Sequence, residues 1–172
     1  MSGEAETPIA AAVGDRLRDR EQTLAVAESC TGGLVGSMVT DVAGSSDYFD
    51  RSVVSYSYDA KRALLAVSRE ALDEHGAVSE AVAREMATGI RDTADTSWGL
   101  STTGVAGPTG GTDETPVGTV YIGVAYAGPW GSETSTSTVR RYEFDGDRQT
   151  IKRRIATQAL VDLRDRIGDV ER

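Results

Sequence analysis

The sequence predicts an α/β domain, a three-layer α/β/α sandwich with a mixed, mostly parallel sheet of about five strands. Three observations lead there. The apolar run Thr23-Leu24-Ala25-Val26 passes through a glycine turn into Leu34 to Val39, a segment with its apolar residues on one side. The β-branched and aromatic run Ser52 to Tyr58 passes directly into a helical pattern from Asp59 to Leu65. A third run, Trp98 to Thr103, is followed by two strand-like runs that read as a hairpin and then by a long amphipathic segment. Strand-to-helix alternation puts parallel strands between two layers of helices, and the hairpin adds antiparallel pairing. Residues 1–172 are read as one domain, long enough for a proper core and too short for two ordinary ones.

Taken in order, residues 1–6 read as a frayed tail and Thr7-Pro8 as a helix start, with Thr7 as N-cap and Pro8 in the first helical position. Ile9, Val13 and Leu17 then make one apolar stripe. After the first strand and second helix, Asp41 to Ser46 is a loop. Asp59 can cap the third helix. Ser68 to His75 is a short helix closed by Gly76, and Ser79 caps a longer one through Ala83, Met86, Ala87 and Ile90 to about Thr93. Gly118 to Tyr126 and Thr134 to Tyr142 flank the turn Ala127 to Gly131, the second strand being polar and edge-like. Asp145-Gly146-Asp147 opens the last helix, whose buried face is Ile151, Ile155, Ala159, Leu160, Leu163 and Ile167.

Composition removes several functions. With 27 acidic and 18 basic residues the net charge is -9, which disfavours binding to nucleic acid or to anionic membrane. Lys61 and Lys152 are the only lysines, and this acidic, lysine-poor balance resembles that of proteins from salt-rich cytoplasm. A single cysteine, no signal peptide and no apolar run of membrane-spanning length lead to the expectation of a cytoplasmic protein without disulfides. The one histidine, His75, sits at a helix end as a surface residue would, which leaves a Ser-His-Asp triad without its base. No Cys/His cluster has ligand spacing, so neither metal nor cofactor is expected. Small size and the Thr-rich edge strand admit a homodimer.

In open α/β sheets, ligands bind beyond the carboxyl ends of the parallel strands. Three such ends carry polar clusters here: Ser29 with Thr31-Gly32-Gly33, Tyr58 with Lys61, and Thr103 with the loop Gly104 to Gly111. Glu28-Ser29-Cys30-Thr31-Gly32-Gly33 places a carboxylate, hydroxyls and a thiol beside backbone N–H groups at a helix start, which suits a nucleophile facing an oxyanion; it also suits an ordinary capping turn. Lys61 lies in the first turn of a helix, where the dipole favours acids, so its placement points to a base for Ser29, against the alternative of a solvated lysine. To be neutral near pH 7 a lysine must lose roughly three pKa units, equivalent to about 4 kcal/mol of desolvation and charge effects. Hydroxyls of Tyr58 and Thr103 could relay the proton or position the base, and N–H groups after Ser29 could hold the oxyanion. Cys30 is the rival nucleophile, ranked below Ser29 because a lone cysteine more often packs in a core. The glycine loop can cradle a ligand or merely connect.

Ala27-Glu28-Ser29-Cys30-Thr31-Gly32-Gly33, Tyr56-Ser57-Tyr58-Asp59-Ala60-Lys61, Gly76-Ala77-Val78-Ser79, and Thr103-Gly104-Val105-Ala106-Gly107-Pro108 with Pro116 to Tyr121 resemble the CinA C-terminal domain family, in order from about Pro8 to Leu163. The nucleotide-cleaving domain that precedes this one in longer members has no counterpart in the sequence. The resemblance implies the three-layer fold and hydrolysis of the carboxamide of nicotinamide mononucleotide, giving nicotinate mononucleotide and ammonia, with this nucleotide as small-molecule partner. It makes Ser29 the nucleophile and Lys61 the base, with Tyr58 and Thr103 assisting. Substrate contacts would come from Glu28, Thr31, Gly32, Gly33, Gly104, Gly107, Gly110 and Gly111, and from Arg148 toward the phosphate, where an ordinary surface arginine is the alternative. Tyr58-Asp59 stands where Asn-Glu is more usual before Ala-Lys, which weakens the role of Tyr58. The competing expectation is a non-catalytic module that binds a nucleotide or a partner in competence or DNA repair.

Overall fold

The computed structural model describes residues 7–170. The expected tail at residues 1–6 lies outside them. Five strands form one mixed sheet in the order β2-β1-β3-β4-β5. β1 (Leu24–Glu28) pairs in parallel with β2 (Phe49–Val54) and with β3 (Trp98–Gly104). β4 (Thr119–Tyr126) is antiparallel to β3 and to β5 (Thr136–Glu143), so it alone runs against the rest.

Helices cover both faces. α1 (Ile9–Asp19), α2 (Leu34–Thr40) and the long α6 (Arg148–Val170) bury Val13, Leu17, Val35, Val39, Ile155 and Leu163 against Leu24, Val26, Leu100 and Ile122. On the other face α3 (Tyr58–Leu65), α4 (Arg69–His75) and α5 (Glu80–Ala94) bury Leu65, Leu72, Val82, Met86 and Ile90 against Ala25 and Ala27. Alternate residues of β1 thus serve opposite cores, as a strand buried on both sides must. α5 packs directly on the sheet over small residues: a Cβ on Gly123 would stand 2.6 Å from the Ala83 carbonyl, and Ser101 donates to that same carbonyl at 2.7 Å.

Three local expectations shift. β2 runs from Phe49 to Val54 rather than Ser52 to Tyr58. The alternation continues past Val54 in composition, but the Ser57 hydroxyl accepts from Ala60 N–H and starts α3 there, so Ser57 and not Asp59 is the cap. Tyr56 and Tyr58 are consequently 62% and 49% exposed instead of packed in a sheet. At the first helix Pro8 has an extended ψ of 140° and is itself the N-cap, which moves the start to Ile9 and leaves Thr7 outside. The Asp147 carboxylate caps α6 by accepting from Thr150 N–H at 2.8 Å, and this holds its pKa below the ordinary carboxylate value.

Candidate active site

Parallel register brings three strand ends to one level, with Glu28 opposite Val54 on one side and Thr102 on the other. The chain beyond stays paired for one more step: Ser29 N–H donates to Thr102 and Ser55 N–H to Glu28. Ser29 and Ser55 therefore leave the sheet side by side, and the tight turn capped by Ser57 swings Lys61 back toward both.

Lys61 is completely buried, and its Nζ lies 2.8 Å from Ser29 Oγ, 2.7 Å from the Ser55 carbonyl and 3.3 Å from the Tyr56 carbonyl. No carboxylate pairs with it among the described residues. Burial therefore lowers its pKa from 10.5 to about 8. The partner set also orients it. Carbonyls only accept, so in the neutral amine the two N–H bonds go to Ser55 and Tyr56 and the lone pair is left facing the Ser29 hydroxyl. That is the arrangement of a base beside the proton it removes.

Ser29 is 8% exposed and opens a turn in which Gly32 and Gly33 have φ of +59° and +102°, a conformation that favours glycine. The N–H groups of Cys30, Thr31 and Gly33 donate to no oxygen of the described residues, while Gly32 N–H closes the turn onto Ser29 O. Cys30 is buried and its thiol is pushed up to about 12, chiefly by burial, so it is not a thiolate at neutral pH and remains behind Ser29 as a nucleophile. Glu28 faces the opposite way. Its carboxylate is fully buried and accepts from Val35 N–H, Gly36 N–H, Thr31 Oγ1 and Ser52 Oγ at 2.6 to 3.0 Å, pinning β1 to α2 and β2. The Thr31 hydroxyl, also bonded to Thr102 at 2.8 Å, belongs to this same knot.

Tyr58 and Thr103 meet elsewhere. Tyr58 OH accepts from Ala77 N–H at 3.3 Å and Thr103 Oγ1 donates to Ala77 O at 2.7 Å. Both clamp the α4–α5 connection, and neither bonds Ser29 or Lys61. Gly104 ends β3 packed on Val120, and in the loop that follows Gly107 is buried with φ of +79° while Gly110 and Gly111 are exposed at its tip. Arg148 reaches this loop from the start of α6, donating to Gly107 O at 2.6 Å and to Tyr56 OH at 3.3 Å. It thus ties the loop to the residue whose carbonyl receives Lys61.

Residues 6–167 match the family model of the CinA C-terminal domain. The chain belongs to the CinA C-terminal domain family. It is 48% identical over 162 residues to the CinA-like protein of Salinibacter ruber and 55% identical over 123 residues to that of Crocosphaera subtropica. These alignments take in 94% and 72% of this chain, but 38% and 30% of those longer proteins, so the chain spans about a third of their length. A solved CinA-superfamily protein from Klebsiella pneumoniae superposes with a TM-score of 0.86 at 34% identity, covering 94% of this chain and 96% of that one. The competence/damage-inducible protein of Agrobacterium tumefaciens gives 0.84 at 32% identity, covering 98% and 99%.

Two features of this CinA-family site escape sequence reasoning. The carbonyls of Ser55 and Tyr56 are backbone groups, which any residue would supply, and only the fold reveals them. Lys152 lies on α6 over the Ser29 turn, its Nζ 3.6 Å from where a Cβ on Gly32 would stand. Its one signal in the sequence is that the chain has only two lysines. A cavity of about 1080 Å³ lies elsewhere: Tyr58, His75, Gly76, Ser79, Arg84 and Tyr121 line it and Ser29 does not. Volume points there, but the nucleophile-and-base geometry is at Ser29, and chemistry decides where a reaction occurs. Among the described residues no group of three or more His, Cys, Asp or Glu is placed to hold a metal, and no helix is long and apolar enough to cross a membrane.

Proposed function

We propose that this chain hydrolyses the carboxamide of nicotinamide mononucleotide to nicotinate mononucleotide and ammonia. The observation that carries the reading is Lys61 Nζ at 2.8 Å from Ser29 Oγ, with two carbonyls occupying its other positions. Neutral Lys61 takes the Ser29 proton as Oγ attacks the carboxamide carbon, and the oxygen of the tetrahedral intermediate faces the N–H groups that follow Ser29. The ammonium of Lys61 then protonates the departing nitrogen, the C–N bond breaks, and ammonia leaves a nicotinoyl ester on Ser29. Water, deprotonated by Lys61, attacks that ester, and the carboxylate product leaves as Ser29 recovers its proton. Family membership supports the substrate, since the resemblance on which the activity was expected covers the same motifs.

The test is ammonia release from nicotinamide mononucleotide in high and low salt, with nicotinamide and glutamine as control amides. Release from the nucleotide alone is expected. Ser29→Ala should abolish it while nucleotide affinity changes by no more than a few-fold; wild-type rates in that variant would remove Ser29 as nucleophile. The second reading, a non-catalytic binding module, is favoured by the wide groove away from Ser29. It is the reading to adopt if the folded protein releases no ammonia in either salt.

A further inference from the structure

α6 carries its first two turns toward the site with an unusual charge arrangement. No acid occupies its first turn, and Arg148 stands at its first position, where the helix dipole disfavours a cation. Lys152 follows four residues later on the same face, and like charges at that spacing repel. Neither placement stabilises the helix, in a chain with net charge -9 that has carboxylates to spare.

The two cations have different partners. Arg148 is engaged with Gly107 O and Tyr56 OH. Lys152 makes no ion pair or hydrogen bond among the described residues, although it is only partly exposed. Its ammonium stands over Gly32, three residues from the nucleophile, and it lines a cavity of about 330 Å³ with Leu34, Gln149 and Arg153. That concavity adjoins the Ser29 turn, and its charged lining is cationic. With Lys61 under Ser29 and Lys152 above Gly32, both lysines of the chain flank one turn.

We propose that Lys152, assisted by Arg153 and the Gln149 amide, binds the phosphate monoester of the substrate and so sets the preference for a nucleotide over the corresponding nucleoside, while Arg148 positions the Gly107 loop and Tyr56. A compact ammonium is suited to a tetrahedral phosphate as a point charge, and the absence of an internal carboxylate keeps it available. The substrate assignment rests on the amidase reading; the phosphate subsite does not.

The experiment separates them. Calorimetric titration with ribose 5-phosphate at low salt requires no turnover: Lys152→Met should weaken binding at least tenfold, and Lys152→Arg should keep it within about threefold. In parallel, the ratio of kcat/KM for nicotinamide mononucleotide over nicotinamide riboside should fall at least tenfold in Lys152→Met, through KM rather than kcat. Equal ribose 5-phosphate binding by wild type and Lys152→Met, or no binding by either, overturns the subsite, as does an unchanged substrate ratio. Binding that depends on Lys152, with no ammonia from either amide, upholds the subsite and refutes the amidase.

Discussion

Two buried charges flank the end of β1, and they have opposite surroundings. Glu28 is met by four donors from α2, β2 and its own turn, which is close to the full capacity of a carboxylate. Lys61 is met by two carbonyls and one hydroxyl, with no opposite charge. A buried charge with every lone pair matched holds a fold together, because its partners offset its desolvation. Lys61 is left with a lowered pKa and one contact whose proton can move either way, which is the condition for proton transfer. The distinction lies in the partners and not in burial, since both residues are 0% exposed.

The sharpest way to break this comparison is Lys61→Met, which keeps the apolar stem and removes the amine. Turnover should fall about a thousandfold or more, the scale of a lost general base. Wild-type rate should rise with pH as the amine is neutralised, levelling above about 8. Stability should follow the same group in the opposite region of the curve. Below pH 8 the folded and unfolded states both carry the proton, and the folded state bears the whole cost of burying it. Between about 8 and 10.5 the folded state has released the proton and the unfolded state has not, so wild type gains up to about 3 kcal/mol relative to Lys61→Met as pH rises. Urea unfolding of both proteins across that window checks the sign; a falling difference would mean that Lys61 is not desolvated.

Glu28→Gln should do the reverse, damaging the fold more than the chemistry. One carboxylate oxygen becomes an NH₂ that faces either Gly36 N–H and Ser52 Oγ or Val35 N–H and Thr31 Oγ1; the hydroxyl can turn to accept from it, but the backbone N–H cannot and loses its acceptor. We expect a loss of about 3 kcal/mol for the unmatched buried groups. In a domain of this size that lowers Tm by about 6–12 °C, measurable by thermal unfolding. An unchanged Tm would remove Glu28 from its structural role and return it to the substrate.

The order of elements was readable because each strand and helix has a clear period and its own punctuation: Ser79 caps α5 where the sequence put it, and α6 begins directly after Asp145-Gly146-Asp147. The closeness of Ser29 and Lys61 was readable for a related reason, since successive parallel strands must end together. Less was readable where one residue type serves two purposes. Ser55, Ser57 and the tyrosines between and after them have strand composition, yet Ser57 stops the strand by capping. Glu28 and Ser29 are neighbours in the motif, but the pleat turns one inward to α2 and the other toward Lys61. Nor does spacing disclose that Tyr58 and Thr103 converge on Ala77, because the α4–α5 connection that carries Ala77 is placed only by tertiary packing.

Those two hydroxyls give the finest division between holding the fold and doing the chemistry. Tyr58 makes a single long hydrogen bond to Ala77 N–H from a side chain that is half exposed. Water can replace such a partner, so Tyr58→Phe should cost less than about 1 kcal/mol and alter kcat by no more than a few-fold. A catalytic hydroxyl would behave otherwise: kcat would drop about a hundredfold or more with Tm unchanged, since relays act in the transition state and not in the resting fold. Measured kcat and Tm of this one variant therefore assign Tyr58 to one side. A large kcat loss would mean that the α4–α5 connection moves when substrate binds and releases the hydroxyl from Ala77 toward Lys61, and the resting geometry at Ser29 would then be only part of the catalytic assembly.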